Sequence, residues 1–283
     1  MVNDAIGAFG RLLEDGLVWT AENDAFERPA RSWLAGASAQ PASVDVSGVP
    51  FGVTGIDTLL KSGGLQSGMT HEFFSDWKNS AGDKDPPPCT VFSVIAANAL
   101  LKSAGQRLLI WIGRRIWPTP FVLKQALGAG VARCLFIDPP DRKKTLWSID
   151  TALRSGVAAA VITECPMNLS ISRRLLIAAR SGGALGLFSR PLKERLIPSA
   201  AGSRWKITPV VSNGFDPLFE LELLKIKGPQ LEVRKWLLEA GCSGGKDEKL
   251  SLYIPADLVD RSRETSTVKE EYSAGGGKSA AFA

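Results

Sequence analysis

The sequence predicts an α/β protein: a mostly parallel sheet flanked by helices, with an antiparallel extension toward the C-terminus. Three observations predict it. Between Val49 and about Ala184, short apolar runs alternate with stretches of helical periodicity, the pattern of buried parallel strands covered on both faces. From Ser203 onward, strand-like runs follow one another with no helix between them. The 283 residues, 45% hydrophobic and 22% charged, suit one good-sized domain with extensions and a substantial core.

The elements follow in order. Asp4 to Thr20 carries Ile6, Phe9, Leu12, Leu13 and Leu17 at helical spacing. An Ala-, Ser-, Pro- and Gln-rich linker follows from Arg28 to Val44. Residues 1–45 are therefore expected to form a helical arm and linker. Phe9, Leu12, Leu13 and Leu17 are its candidate partner-binding face, with packing on its own domain as the equal alternative.

The core, 46–240, opens with a short helix at Gly55 to Leu60 and a turn at Gly63-Gly64. A strand from Met69 to Phe74 and a helix from Thr90 to Ser103, apolar nearly all round, come next. Strands at Arg107 to Ile112, Arg133 to Ile137, Val157 to Thr163 and Ala184 to Phe188 alternate with helices. Those helices are Pro120 to Leu127, Lys144 to Ser155 and Ser170 to Ser181. Ser203 to Val211, Leu218 to Lys227 and Leu231 to Leu237 form the antiparallel part, with turns at Gly214, Asp216-Pro217 and Gly228-Pro229. Residues 241–283 turn polar and then low in complexity, so they are expected to be a mostly disordered tail. Leu250 to Ile254 is its one candidate docking segment.

Composition removes several function classes. No apolar run approaches the roughly 20 residues that cross a bilayer, and no signal-like N-terminus is present, so the expected address is cytoplasmic with no membrane contact. Cys89, Cys134, Cys165 and Cys242 are scattered with no CxxC pair, and His71 is the only histidine. Buried reduced thiols are expected rather than a metal site. The net charge of +5 permits contact with nucleic acid or an acidic partner. Arg114-Arg115 and Arg173-Arg174 are the candidate DNA-contact residues, with Trp111 and Trp117 beside the first pair.

VTGIDTLLKSGGLQSGMTHEF, Val53 to Phe73, resembles the opening of a RecA-type core, through Thr54-Gly55, Asp57, Leu60, Gly63-Gly64-Leu65, Gly68 and Glu72. RSGVAAAVITE, Arg154 to Glu164, resembles the run that carries the Walker B strand. The resemblance sharpens toward the ImuA family of RecA-like mutagenesis accessory proteins. Leu146 to Ile149 with Ala152 to Gly156, Leu169 to Leu175 with Ala178 to Gly182, and Ser203-Arg204-Trp205-Lys206-Ile207 carry it, in order, across about 49–236.

That resemblance implies a RecA-like sheet and a place in the SOS response to DNA damage. Its partners would be ImuB, a catalytically inactive Y-family polymerase relative, and an error-prone replicative-type polymerase, with RecA as a further contact. Nucleoid association after damage would follow.

The phosphate-binding site is the point of departure. A P-loop aims backbone N–H groups at phosphate, with a lysine on the β and γ phosphates and a Ser or Thr on magnesium. No GxxxxGK[ST] occurs in this chain. Aligned on Val94 to Ala97, Pro86, Pro87 and Pro88 stand where Gly-Lys-Thr belongs. Proline donates no N–H, fixes φ and carries no charge. It also starts helices well, so Pro87 and Pro88 can serve as a rigid helix start.

No carboxylate follows Ile112 before Asp138, and Glu164 replaces the Walker B aspartate. A remodelled site would have to use Lys78 or Lys84 with Thr90, beside Asp83 and Asp85. The expectation is therefore no catalytic residue, no metal and no cofactor: an accessory scaffold rather than an enzyme. Two alternatives stay open at this point. One is a DNA-binding or weakly nucleotide-binding RecA-like repair ATPase. The other is a SulA-like cell-division inhibitor, since that lineage shares the degenerate core.

Overall fold

The computed structural model describes residues 18–20, 48–75, 89–103, 107–212, 216–227, 235–242 and 249–255. Val18–Thr20 is β1, Gly48–Val49 β2, Thr54–Asp57 α1, Leu65–Gln66 β3, Thr70–Ser75 β4 and Cys89–Lys102 α2. Leu108–Ile112 is β5, Pro120–Leu127 α3, Cys134–Ile137 β6, Arg142–Arg154 α4, Ala158–Glu164 β7, Leu169–Gly182 α5 and Leu185–Pro191 β8. Ser203–Val210, Leu218–Ile226, Lys235–Cys242 and Leu250–Tyr253 are β9 to β12.

Ten strands form one sheet in the order β1-β6-β5-β7-β8-β4-β9-β10-β11-β12, and β2 pairs with β3 apart from it. The expected mixed α/β architecture, mostly parallel with antiparallel strands at the C-terminal end, is what forms. Neighbours from β6 through β9 run parallel, and β9 to β12 run antiparallel. α2 and α3 share one core with the inward residues of β9 to β12. α4 and α5 cover the opposite face around Ile110, Val161 and Phe188. α2 is buried nearly all round because helix α3 and the antiparallel strands both close over it, which is why its sequence lacks a polar face. No helix among the described residues is long and apolar enough to cross a membrane.

Several expectations need correction. Val18–Thr20 does not end a helix but adds an antiparallel strand to β6. Phe9, Leu12, Leu13 and Leu17 lie outside the described residues, as do Pro86, Pro87 and Pro88. Of the expected run Leu231 to Leu237, residues 231–234 lie outside the described residues; the described strand, Lys235–Cys242, runs past Leu237 and buries Trp236, Leu238 and Ala240 toward the core. Leu250–Tyr253 docks on β11 as an edge strand, burying Leu250 and Leu252.

The motif residues have local reasons. Asp57 accepts from the backbone N–H groups of Phe51 (2.7 Å) and Gly52 (3.0 Å), closing the entry turn. Burial pushes its carboxyl upward, against the pull of those donors. Gly64 has φ +147°, and a Cβ there would fall on the Val49 carbonyl, so the β2–β3 approach requires glycine. Asn168 caps α5 by accepting from Ile171 N–H at 2.9 Å, and Asp141 caps α4 at Lys144 (2.8 Å).

Candidate functional site

Two polar constellations stand out on the sheet. The first lies in the crevice at the carboxyl ends of β5 and β7, where the strand order reverses: from β5 the chain steps outward to β6, then returns across to β7. Open α/β sheets bind ligands at this position. Glu164 ends β7 there, and its 3.8 Å pair with Arg115 spans the switch point. Arg114 pairs with Asp138 at 2.5 Å, just past the end of β6. The first turn of α2 abuts the same edge, because the Cys89 thiol donates to the Ile116 carbonyl at 3.4 Å. Burial pushes that thiol up to about 12, and the Glu164 charge adds to the effect. Ser189, in register with Glu164, and Ser75, at the end of β4, have buried hydroxyls without a partner among the described residues.

Burial pushes the Glu164 carboxyl up to about 7; Arg115 pulls it down and Glu194 pushes it further up. Its pKa is raised above the unfolded value, so its contribution to stability is complete below about 4.5 and is lost as pH rises through 7. His71 acts the other way. Burial holds it down to about 4, so its contribution is present above 6.5 and is lost as pH falls toward 4. Comparing Glu164→Gln with the parent at each pH cancels the histidine. The variant is expected to gain ~1–3 kcal/mol relative to the parent between pH 5 and pH 8, measured by urea unfolding. A difference that stays flat with pH would refute the assignment.

The second constellation is a buried ion cluster on the opposite face, under the connection from β8 to β9. Glu72 accepts from Arg190 Nη1 (2.9 Å), Arg204 Nε (2.9 Å) and Ser199 Oγ (2.5 Å). Arg190 also donates to Glu194 Oε2 at 3.1 and 2.8 Å and to the Met167 carbonyl at 2.8 Å. Both guanidinium groups lie over the Phe74 ring, at 5.4 and 4.7 Å from its centre. Glu72 and Arg190 are 1% and 0% exposed, so every charge must be matched inside the cluster.

Three of the four basic residues named from the sequence, Arg114, Arg115 and Arg174, are paired with carboxylates. Arg114 and Arg115 stand at the sheet edge, each paired with a carboxylate. Arg174 bonds Asp150 at 3.1 Å, which also takes Arg154 at 3.0 Å and so ties α5 to α4. Arg173 is exposed on α5. Trp111 is fully buried, stacked on Phe136 at 6.3 Å, which removes it as a base-stacking surface.

The sequence is similar to known proteins over most of its length. Over 215 residues the chain is 30% identical to Protein ImuA of Caulobacter vibrioides strain NA1000 / CB15N, covering 69% of this chain and 84% of that protein. The chain belongs to the ImuA family. Protein ImuA of strain ATCC 19089 / CIP 103742 / CB 15 gives the same figures. No family model matches the chain.

In this ImuA-family member, Ser203, Arg204, Trp205 and Ile207 each have a defined place in the fold. Trp205 Nε1 donates to Ser203 Oγ at 2.6 Å, and Ser203 pairs with His71 Nδ1 at 2.7 Å. Arg204 holds Glu72, and Trp205 and Ile207 face the core. Sequence reasoning noted Glu72 only as a motif position and missed Arg190, Glu194 and Ser199. The available signal was a charge beside apolar runs, Glu72 before Phe73-Phe74 and Arg190 after Leu185 to Phe188.

Proposed function

We propose that this ImuA-family chain is a non-catalytic accessory protein of DNA-damage-induced translesion synthesis, built on a RecA-like core that does not hydrolyse ATP. It binds an ImuB-like relative of the Y-family polymerases and supports an error-prone replicative-type polymerase. RecA is a further contact, and the protein works in the cytoplasm and on the nucleoid after damage.

The observation that carries this reading is the 30% identity to Protein ImuA across 84% of that protein's length. The crevice chemistry supports the non-catalytic part. Among the described residues of the crevice, the Glu164 carboxylate faces the Arg115 guanidinium at 3.8 Å, a cation on the side where a magnesium ion would need the carboxylate. The described residues at the switch point therefore fit a magnesium nucleotide poorly.

The test is paired. The full chain is expected to retain an ImuB-like partner in a pull-down, and to give no saturable heat with ATP and magnesium at micromolar affinity. Loss of the pull-down refutes the scaffold, and a saturable micromolar isotherm refutes the account of the crevice.

A further inference from the structure

The connection from β8 to β9 packs against β4 and is held there by polar anchors. Its segment 192–200 forms a strap fastened at each end and in the middle. Glu194 is held by Arg190, and Ser199 Oγ donates to Glu72. The Ala200 N–H donates to Ser172 Oγ on α5 (2.9 Å), whose hydroxyl also meets Ser199 Oγ at 2.7 Å. Arg204 Nη2 donates to the Ile197 carbonyl at 3.1 Å, and Lys227 Nζ to the Ala200 carbonyl at 3.0 Å. Backbone bonds from Arg195 to Leu192 and from Ile197 to Glu194 (both 3.0 Å) set the turn between the anchors.

This fastening raises an apolar tip out of the protein. Leu196 is 82% exposed, Ile197 36%, and Pro198 is exposed with them. The tip's surroundings are basic. Lys193 and Arg195 are exposed, as is Arg173, next to Ser172 on α5. The one acid of the strap, Glu194, is turned inward to Arg190, so it does not offset them. An apolar tip held rigid in advance loses little freedom on association, which favours binding.

We propose that the strap tip, Leu196, Ile197 and Pro198 with Lys193 and Arg195 beside it, is a docking surface for an acidic segment of a partner protein that carries an apolar anchor. The charge around the tip calls for an acidic occupant. The aliphatic tip favours a protein over nucleic acid, because stacking on bases needs aromatic faces and the strap has none. The inference rests on the reading that the chain works by holding a protein partner.

The probe is a fluorescein-labelled synthetic peptide of alternating aspartate and leucine, with lysine-for-aspartate and serine-for-leucine counterparts, followed by anisotropy against the full chain. The acidic apolar peptide is expected to bind saturably and both counterparts to bind at least tenfold more weakly. Leu196→Asp, at an exposed position, is expected to weaken the acidic peptide about tenfold with an unchanged melting temperature, and Arg195→Glu to do likewise.

Absence of saturable binding, or equal binding by Leu196→Asp, overturns the proposal. So does single-stranded DNA binding that is lost in Leu196→Asp while the peptide is ignored, or a dimer in sedimentation that the same substitution dissolves. The ImuB pull-down separates the two readings. A retained pull-down with no peptide binding removes the strap assignment alone; a failed pull-down removes the scaffold reading, while the peptide result still judges the surface.

Discussion

Replacing Arg190 by alanine is expected to cost about 3–5 kcal/mol of stability, the range for removing one partner from a buried ion pair. Arg190 is fully buried and donates to Glu72, Glu194 and the Met167 carbonyl. Its loss leaves the Glu72 carboxylate, 1% exposed, with only Arg204 and Ser199, and opens a void over Phe74. Urea unfolding by far-UV circular dichroism measures the cost. Arg190→Met keeps much of the volume but not the donors, so it separates packing from charge and should recover only a minority of the loss. A cost below ~1 kcal/mol in Arg190→Ala would mean that the cluster does not hold the strap. Because the same cluster anchors both ends of 192–200, strap accessibility to protease should rise in parallel with the lost stability.

How much of this was legible in the sequence depends on which physical rule governed each residue. The parallel core was readable because a strand buried on both faces must be apolar throughout. Residues 157–163 and 184–188 announce themselves that way, and β7 and β8 form there. Helix α3, Pro120–Leu127, was readable to the residue because Thr119 caps it, proline starts it and Gly128 ends it.

The edges were harder. Val18–Thr20 sits at the end of a helical apolar pattern, and only the free edge of β6 makes it a strand. Lys235 to Cys242 runs past the expected end at Leu237 because Gly241 and Cys242 are held in the sheet by pairing with β12, which no local pattern encodes.

The candidate sites divide along the same line. Glu164 was found because a motif places it, and its crevice follows from strand order. The Glu72 cluster was invisible because its members are separated by more than a hundred residues, as with Arg190 to Glu72 and Arg204 to Glu72. No local period encodes a charge that is satisfied across a sheet. What the sequence did carry was anomaly: an arginine close behind the apolar run Leu185 to Phe188.

Trp205→Ala is expected to be as damaging as loss of Arg190, for a different reason. Trp205 is fully buried between Phe51 (5.1 Å between ring centres), Phe73 (6.3 Å, stacked) and Trp236 (6.2 Å). Truncation of such a side chain costs about 3–5 kcal/mol, combining lost transfer energy with the cavity left behind.

The residue also heads a hydrogen-bond relay. Its indole N–H donates to Ser203 Oγ, which leaves that hydroxyl's proton for His71 Nδ1, while His71 Nε2–H donates to the Gln66 carbonyl at 3.1 Å. This chain fixes a neutral imidazole in a dry site, where burial holds it down to about 4. A cavity at position 205 admits water to the imidazole and returns its proton affinity toward the ordinary 6.5. The parent loses stability as pH falls from 6.5 toward 4, and the variant loses less of it there.

The cost of Trp205→Ala should therefore be largest near pH 7.5 and smaller at pH 5, read by urea unfolding at both. Trp205→Phe keeps most of the packing and should show a reduced cost with a weaker pH dependence. A cost for Trp205→Ala that grows on acidification would refute the relay, because it would mean that His71 is charged when the tryptophan is in place.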